Sequence, residues 1–303
     1  MFYTRLWGVR GSIPTPGPTT VLYGGNTACL EIRAGKRLLI VDLGTGVKPL
    51  GDWLIENELK EHPIEADVFI THTHWDHIMG FPMFAPVFIP GTRLKIWGSA
   101  SYEGDSLEKI IGVQLSHQYW PVRLDELSAS IEYEEIKQGS RDLGGGLSLK
   151  TKHLNHPILC LGYRFEYEGK SIVTAFDTEP FSSALPTDKN DPAYNEEAAR
   201  KEELAAESEN RRMLEFIKEA DILIHDAQYT EKEYSQHRGW GHSSYEAAIN
   251  QALEAGVKKL VCFHHEPRRG DEELAALEAE FRGRYASESL EIVMAREGMT
   301  LEA

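Results

Sequence analysis

The 303-residue chain carries 32 Lys and Arg against 48 Asp and Glu, a formal charge of −16, with 41% hydrophobic residues and three cysteines. That length buries an ample core in one large or two small domains, and the acidity disfavours a protein that grips long nucleic acid through clustered Lys and Arg. Small anionic substrates stay open, because one Arg, a metal pair or a few backbone N–H groups can hold a phosphate inside an acidic protein.

Cys29, Cys160 and Cys262 lie far apart with no CxxC spacing, which argues against a disulfide framework or a zinc ribbon and predicts buried, reduced thiols. The start Met-Phe-Tyr-Thr-Arg-Leu-Trp lacks the parts of a signal peptide. The most apolar stretch, 81–90, is too short and proline-rich to span a bilayer. The expectation is a soluble cytoplasmic protein with no membrane partner.

Short β-rich runs bounded by glycine open the chain, over 28–32 and 37–42, and Leu38-Leu39-Ile40-Val41 reads as a buried strand ending at Asp42-Leu43-Gly44-Thr45-Gly46. A helix over 47–60 follows, with Leu50, Leu54 and Leu59 roughly on one face. A strand over 67–71 then runs straight into a histidine cluster. Residues 80–127, with Pro82, Pro86, Pro90 and Pro121 among many aromatics, read as a long excursion packed over the core. A second β-rich block spans 131–136, 147–153, 161–167 and 171–175, the last two joined by the hairpin turn Glu168-Gly169-Lys170. Residues 188–219 hold ten acidic and six basic residues and predict a solvated helical face plus a loop. A strand over 221–225, a helix over 243–255 closed by Gly256, a strand over 259–263 and an amphipathic helix over 271–284 complete the chain. Two β-rich halves, each followed by helix, suggest a pseudo-repeat and a layered α/β, αββα architecture.

The strongest chemical signal is His72-Thr73-His74-Trp75-Asp76-His77. Residues two apart at a strand end face the same side, so His72 and His74 can converge on one cation. After a turn, Asp76 and His77 can present an oxygen and a nitrogen to a neighbouring cation, and imidazole with carboxylate selects zinc, manganese or iron over calcium. A metal pair needs more ligands, and later strands deliver them: His156 follows a strand, Asp177 ends the run Ile172 to Phe176, and His264 ends Leu260 to Phe263. Asp42 reads as support for the histidines rather than as a ligand.

These motifs resemble the metallo-β-lactamase fold hydrolases, and within them the ribonuclease Z-like phosphodiesterase branch. The resemblance runs through Gly8-Val9-Arg10-Gly11-Ser12, Gly24-Gly25-Asn26-Thr27, the Asp42 to Gly46 block, the histidine cluster and His156 with Gly162-Tyr163-Arg164. It continues through Asp177-Thr178, Leu223-Ile224-His225-Asp226-Ala227, Gly241-His242-Ser243-Ser244 and Phe263-His264-His265. It implies one αββα sandwich domain over 1–303, two mixed β-sheets flanked by helices, with insertions near 80–127 and 181–212. It also implies two divalent transition-metal ions, zinc first with manganese or iron as alternatives. His72, His74 and His156 would hold one, Asp76, His77 and His264 the other, and Asp177 would bridge them. His264 is preferred to His265 because it falls where the family's ligand leaves its strand. His153 competes with His156 but fits the distance to the Gly-Tyr-Arg block less well.

The resemblance further implies a catalytic set of Asp76, Asp226 and His242. A hydroxide held between two cations is a nucleophile at neutral pH, and a carboxylate orienting an imidazole that protonates the leaving alkoxide is ordinary acid catalysis. Asp226 stands where the branch commonly has Glu, so the shorter arm could require a different geometry. Arg10 and Asn26 sit in glycine-rich turns that the fold would place near the site as substrate-binding residues, with a turn-forming role as the alternative. Ribonuclease Z enzymes grip tRNA with a basic, glycine-rich arm, and this chain shows no such insertion. A small phosphodiester, first of all a 3′,5′-cyclic nucleotide, is the expected substrate, against a wall to which Phe81, Phe84, Tyr119 and Trp120 could contribute. RNA processing at tRNA 3′ ends, carboxyl-ester, thioester or lactone hydrolysis, and a non-catalytic or redox role are the alternatives. His74 argues against the redox branch, which typically has Glu there. A homodimer is common for the fold.

Overall fold

Strand pairing follows the β-rich blocks. In the computed structural model, which describes residues 1–99, 103–183, 185, 194–285 and 289–303, β1 (Phe2–Gly8), β2 (Cys29–Ala34), β3 (Arg37–Val41), β4 (Glu65–Phe69), β5 (Arg93–Gly98) and β6 (Ser130–Glu135) form one seven-stranded sheet with β14 (Thr300–Glu302), in the order β14-β1-β2-β3-β4-β5-β6. The second seven-stranded sheet has the order β7-β8-β9-β10-β11-β12-β13, from β7 (Gly139–Gly144), β8 (Leu147–His153) and β9 (Leu161–Tyr167) through β10 (Lys170–Ala175), β11 (Ile222–Asp226) and β12 (Lys259–Phe263) to β13 (Glu291–Met294). Starting from β14 or from β7, three antiparallel pairings are followed by three parallel ones. The two mixed sheets therefore repeat one pattern.

Alternation along each strand assigns the layers. Leu39 and Val41 of β3 join the core between the sheets, while Leu38 and Ile40 face outward into a cluster with Val47, Leu50 and Leu54 of α1 (Val47–Asn57). In the second sheet Val261 and Phe263 point inward and Leu260 and Cys262 outward, beneath α6 (Tyr245–Glu254) and α7 (Asp271–Arg284). A strand covered on both faces needs an unbroken apolar run, which is why Leu38 to Val41 is legible as buried. The arrangement is an αββα sandwich. Cys29, Cys160 and Cys262 are free and buried. Among the described residues no helix is long and apolar enough to cross a membrane.

Residues 80–127 do not form one excursion. Pro82 and Pro86 open 3₁₀ turns at Phe81–Met83 and Ala85–Phe88, but β5 follows as an interior strand and then α3 (Leu107–Gly112). Arg-Leu-Lys-Ile-Trp-Gly alternates with period two, a signal masked by the surrounding prolines. β7, nearly all exposed at a sheet edge, carries no apolar pattern to read. Of the acidic segment, residues 196–217 form the helix α4 (Glu196–Ile217), which Asn195 caps by accepting from Ala198 N–H and which buries Met213, Phe216 and Ile217. Residues 188–193 of that segment, and 184 and 186–193 of the expected second insertion, lie outside the described residues.

Parallel pairing of β10, β11 and β12 carries their C-terminal ends to one sheet edge. That edge is where α/β sheets place ligands.

Candidate metal centre

The chain leaves β4 extended, turns at His74 (φ −63°, ψ 151°) and enters the short helix α2 (Trp75–Ile78). The extended part sends His72 and His74 to one side, and the helical turn swings Asp76 and His77 to a neighbouring position. His74 Nδ1 lies 3.0 Å from His156 Nε2, and Asp177 Oδ2 lies 3.4 Å from His72 Nε2 and 4.0 Å from His156 Nε2. On the other side, His77 Nε2 lies 3.3 Å from Asp76 Oδ2 and 3.2 Å from Asp177 Oδ1. His264 Nε2 completes that group at 3.2 Å from Asp76 Oδ2 and 3.3 Å from Asp177 Oδ1. Within each group one ligand atom per residue lies within 4.8 Å of the others. Asp177 offers one oxygen to each group.

The donor chemistry fits a pair of cations. His72 Nε2, His77 Nε2 and Asp177 Oδ1 are buried without a hydrogen-bond partner, a costly arrangement unless something positive sits among them. The far nitrogens of four imidazoles are engaged. His77 Nδ1 contacts Asp42 Oδ2 at 2.7 Å, His264 Nδ1 contacts Gln228 Oε1 at 3.0 Å, His156 Nδ1 contacts the Gly241 carbonyl at 3.1 Å and His72 Nδ1 contacts Thr71 Oγ1 at 3.1 Å. Thr71 gives its own hydroxyl proton to Asp42, so its oxygen accepts from His72. Each Nδ1–H is thereby fixed as a donor, leaving the Nε2 lone pair facing the cluster. His74 presents Nδ1 instead.

The titration behaviour agrees for His72 and His156. Burial pushes His72 down, and His156 to about 4, keeping both neutral. Burial opposes charge on His77 too, but Asp177, Asp76 and Asp42 outweigh it and raise His77 well above its ordinary value. Burial disfavours the ionised forms of Asp76 and Asp177, yet His77 and His264 hold both below the usual carboxylate range. The carboxylates that attract a proton to His77 attract a divalent cation still more strongly.

Backbone geometry marks the same residues. Asp42, Asp177 and His264 have φ of 62°, 46° and 63°, left-handed values that cost a non-glycine residue about 1–2 kcal/mol. Each stands just past the end of β3, β10 or β12. Ser12 N–H donates to Asp76 Oδ2 at 2.7 Å. Gly241 is required for space and conformation together, since its φ is 82° and a Cβ there would lie 2.2 Å from His156 Nδ1.

Beside this cluster, His242 Nδ1 lies 2.6 Å from Asp226 Oδ2, so the shorter arm of Asp spans the gap. Asp226 Oδ1 accepts from Gln228 N–H and Ser243 N–H. The His242 ring stacks on His264 at 4.8 Å between centroids. Burial opposes its charge, but Asp226 outweighs burial and pushes His242 up to about 9. Glu179, not apparent as a site residue in the sequence, ties down the loop before His242: it accepts from Gly239 N–H, Gly241 N–H and Tyr234 Oη–H. Gln228 likewise lacks a spacing signature, because it acts through a contact between distant segments, and the Gly8 to Ser12 block gave no sign that Ser12 N–H meets Asp76.

Other expected positions fall elsewhere. Arg10 is fully buried, its Nε and Nη1 donate to the carbonyls of Gly24, Glu266 and Arg269, and its Nη2 is buried without a partner, so it ties turns together and is not open to substrate. Asn26 gives both its backbone and side-chain N–H to Glu297. His153 hydrogen-bonds through its backbone N–H to Gln138 and stays outside the clustered groups. Phe81 and Phe84 are fully buried beneath the first sheet, and Trp120 packs against the same cluster.

Two seven-stranded mixed sheets under helices, with His and Asp side chains gathered at strand ends, define the class. Residues 22–169 match the model of the Metallo-beta-lactamase superfamily, and the chain is a hydrolase of the metallo-β-lactamase fold. Among its relatives, ribonuclease Z of Exiguobacterium sibiricum is 27% identical over 286 residues, covering 85% of this chain and 88% of that one. Among solved structures, the metallo-β-lactamase fold protein YhfI of Bacillus subtilis superposes with a TM-score of 0.66 at 17% identity over 100% of both chains. A diphosphatase of the PhnP family superposes with a TM-score of 0.59 at 17% identity over 100% of this chain and 98% of that one.

Proposed function

We propose that the chain is a dinuclear metal-dependent phosphodiesterase acting on a small phosphodiester, a 3′,5′-cyclic nucleotide. The observation that carries this reading is the Asp226–His242 pair, closed at 2.6 Å beside the ligand cluster. His72, His74 and His156 would hold one cation and Asp76, His77 and His264 the other, with Asp177 shared. When bound, such cations supply Lewis-acid stabilisation of phosphoryl charge and an activated water at neutral pH.

The protein's own groups supply the rest. Asp226 holds the His242 proton at Nδ1 and leaves Nε2–H free to protonate the leaving alkoxide, a step that ester, thioester or lactone hydrolysis does not need. Asp42, Thr71, Gln228 and the Gly241 carbonyl keep the ligand imidazoles in one orientation. The formal charge of −16 supports a small substrate over a long polyanion. Three buried free thiols suit a reducing cytoplasm.

The resemblance to ribonuclease Z favours a second reading, RNA processing by the same chemistry. A panel of cyclic purine and pyrimidine mononucleotides, cyclic dinucleotides, pre-tRNA, a lactone and a β-lactam separates the two. Hydrolysis of cyclic mononucleotides is the expected result, cleavage of pre-tRNA alone would establish the second reading, and turnover of the lactone alone would reject both.

A further inference from the structure

The rim of the metal centre is unlike its floor. The floor is made of imidazoles and carboxylates, whereas Trp75, Trp240 and Ile13 are 68%, 59% and 55% exposed. Each is tied to the centre by a neighbour. Trp75 lies between His74 and Asp76 in the chain. Trp240 precedes Gly241, whose carbonyl meets His156 Nδ1 at 3.1 Å, and His156 Nε2 in turn meets His74 Nδ1 at 3.0 Å. Trp75 and Trp240 are therefore exposed residues next in the chain to the two ends of the link from His74 through His156 to Gly241. Ile13 follows Ser12, whose N–H binds Asp76 Oδ2.

Trp240 is also braced. The His237 ring meets it edge-on at 4.9 Å and itself stacks on Tyr229 at 4.6 Å, while Glu179 fixes the backbone on both sides through Gly239 and Gly241. An indole left in water yet held from behind keeps a flat apolar face to offer at no further ordering cost. Phosphate chemistry on the floor and aromatic faces on the rim fit a molecule that joins a phosphodiester to a planar ring.

We infer that Trp75 and Trp240 form a stacking platform for the nucleobase of the substrate, with Ile13 as its apolar edge. This rests on the phosphodiesterase reading, and it specifies that the substrate is recognised by its base as well as by its phosphate. Stacking tolerates every base, so the platform selects nucleotides over base-free esters rather than one base over another.

The test compares binding of adenosine 5′-monophosphate and ribose 5-phosphate to the metal-loaded full-length protein by titration calorimetry. The mononucleotide is expected to bind about 10-fold or more tighter, the range of one base stacked on an aromatic side chain. The double variant Trp75→Ala, Trp240→Ala should bring the two affinities to within about 2-fold, and Trp75→Phe with Trp240→Phe should restore most of the difference. Equal affinities in the wild type, including no binding of either ligand, would overturn the inference, as would a preference that survives in the double alanine variant. Because both indoles are exposed, these replacements leave the core untouched. The phosphodiesterase reading is judged separately, by whether the wild type hydrolyses cyclic diesters at all.

Discussion

The two sheets share one pairing pattern but supply the metal centre in opposite ways. From the first sheet, a single turn of residues 72–77 delivers three imidazoles and a carboxylate. From the second, Asp177, Asp226 and His264 come one each from the ends of three adjacent parallel strands, and His156 and His242 from loops. Local spacing builds the first contribution, and topology alone builds the second. In the proposed mechanism the first half would hold cations, whereas the second would both hold them and bring the proton.

That division can be broken by substitution. Asp76→Asn in the first half and Asp177→Asn in the second should each strip metal and cut diester hydrolysis by more than about 100-fold, beyond the 10–100-fold typical of residues that only support ligands. Metal analysis is expected to give close to two ions per chain in the wild type, and a metal-free wild type that still hydrolyses diesters would sink the mechanism. His242→Ala should separate the two duties, lowering turnover by about 10²–10⁴-fold while metal content is kept. Unchanged diester turnover in that variant would remove the general acid.

Arg10 provides a contrast outside both duties. Removing Arg10 would leave buried carbonyls without their donor, at about 1–3 kcal/mol for each unsatisfied group, so Arg10→Ala should depress the melting temperature, with KM unchanged for the fraction that folds. A raised KM with undiminished stability would return Arg10 to the substrate. Asp42→Asn should weaken metal affinity by about 10–100-fold, measured by chelator competition. The smallest expected effect sharpens the supporting role of Gln228: Gln228→Ala should weaken metal affinity less than Asp42→Asn, because it removes a neutral acceptor from His264 where the other removes a charge from His77.

What the sequence made legible follows the same line. The His72 to His77 turn reads directly, because all its ligands lie within one strand end and one helical turn. Asp177 and His264 become readable only as polar residues closing apolar runs, and their convergence depends on β10 to β12 lying parallel. Glu179 and Gln228 left no trace, since each meets the site across at least one other segment, and Ser12 was visible only as part of the Gly8 to Ser12 block, with no role attached. Arg10 misled because a glycine-rich turn near a site looks alike whether its Arg faces substrate or, as here, the carbonyls of the turns it ties together. β5 was hidden by prolines on its flank, although its own alternation was intact.

The left-handed backbone at Asp42, Asp177 and His264 has an effect on any attempt to improve the protein by selection. Glycine at these positions would relieve strain and, by that contribution alone, harden the fold by an increment on the order of 1 kcal/mol. It would also delete two proposed ligands and one support of a third. A library ranked by thermal resistance would thus tend to enrich inactive clones at these sites, and one ranked by turnover would restore the strained residues.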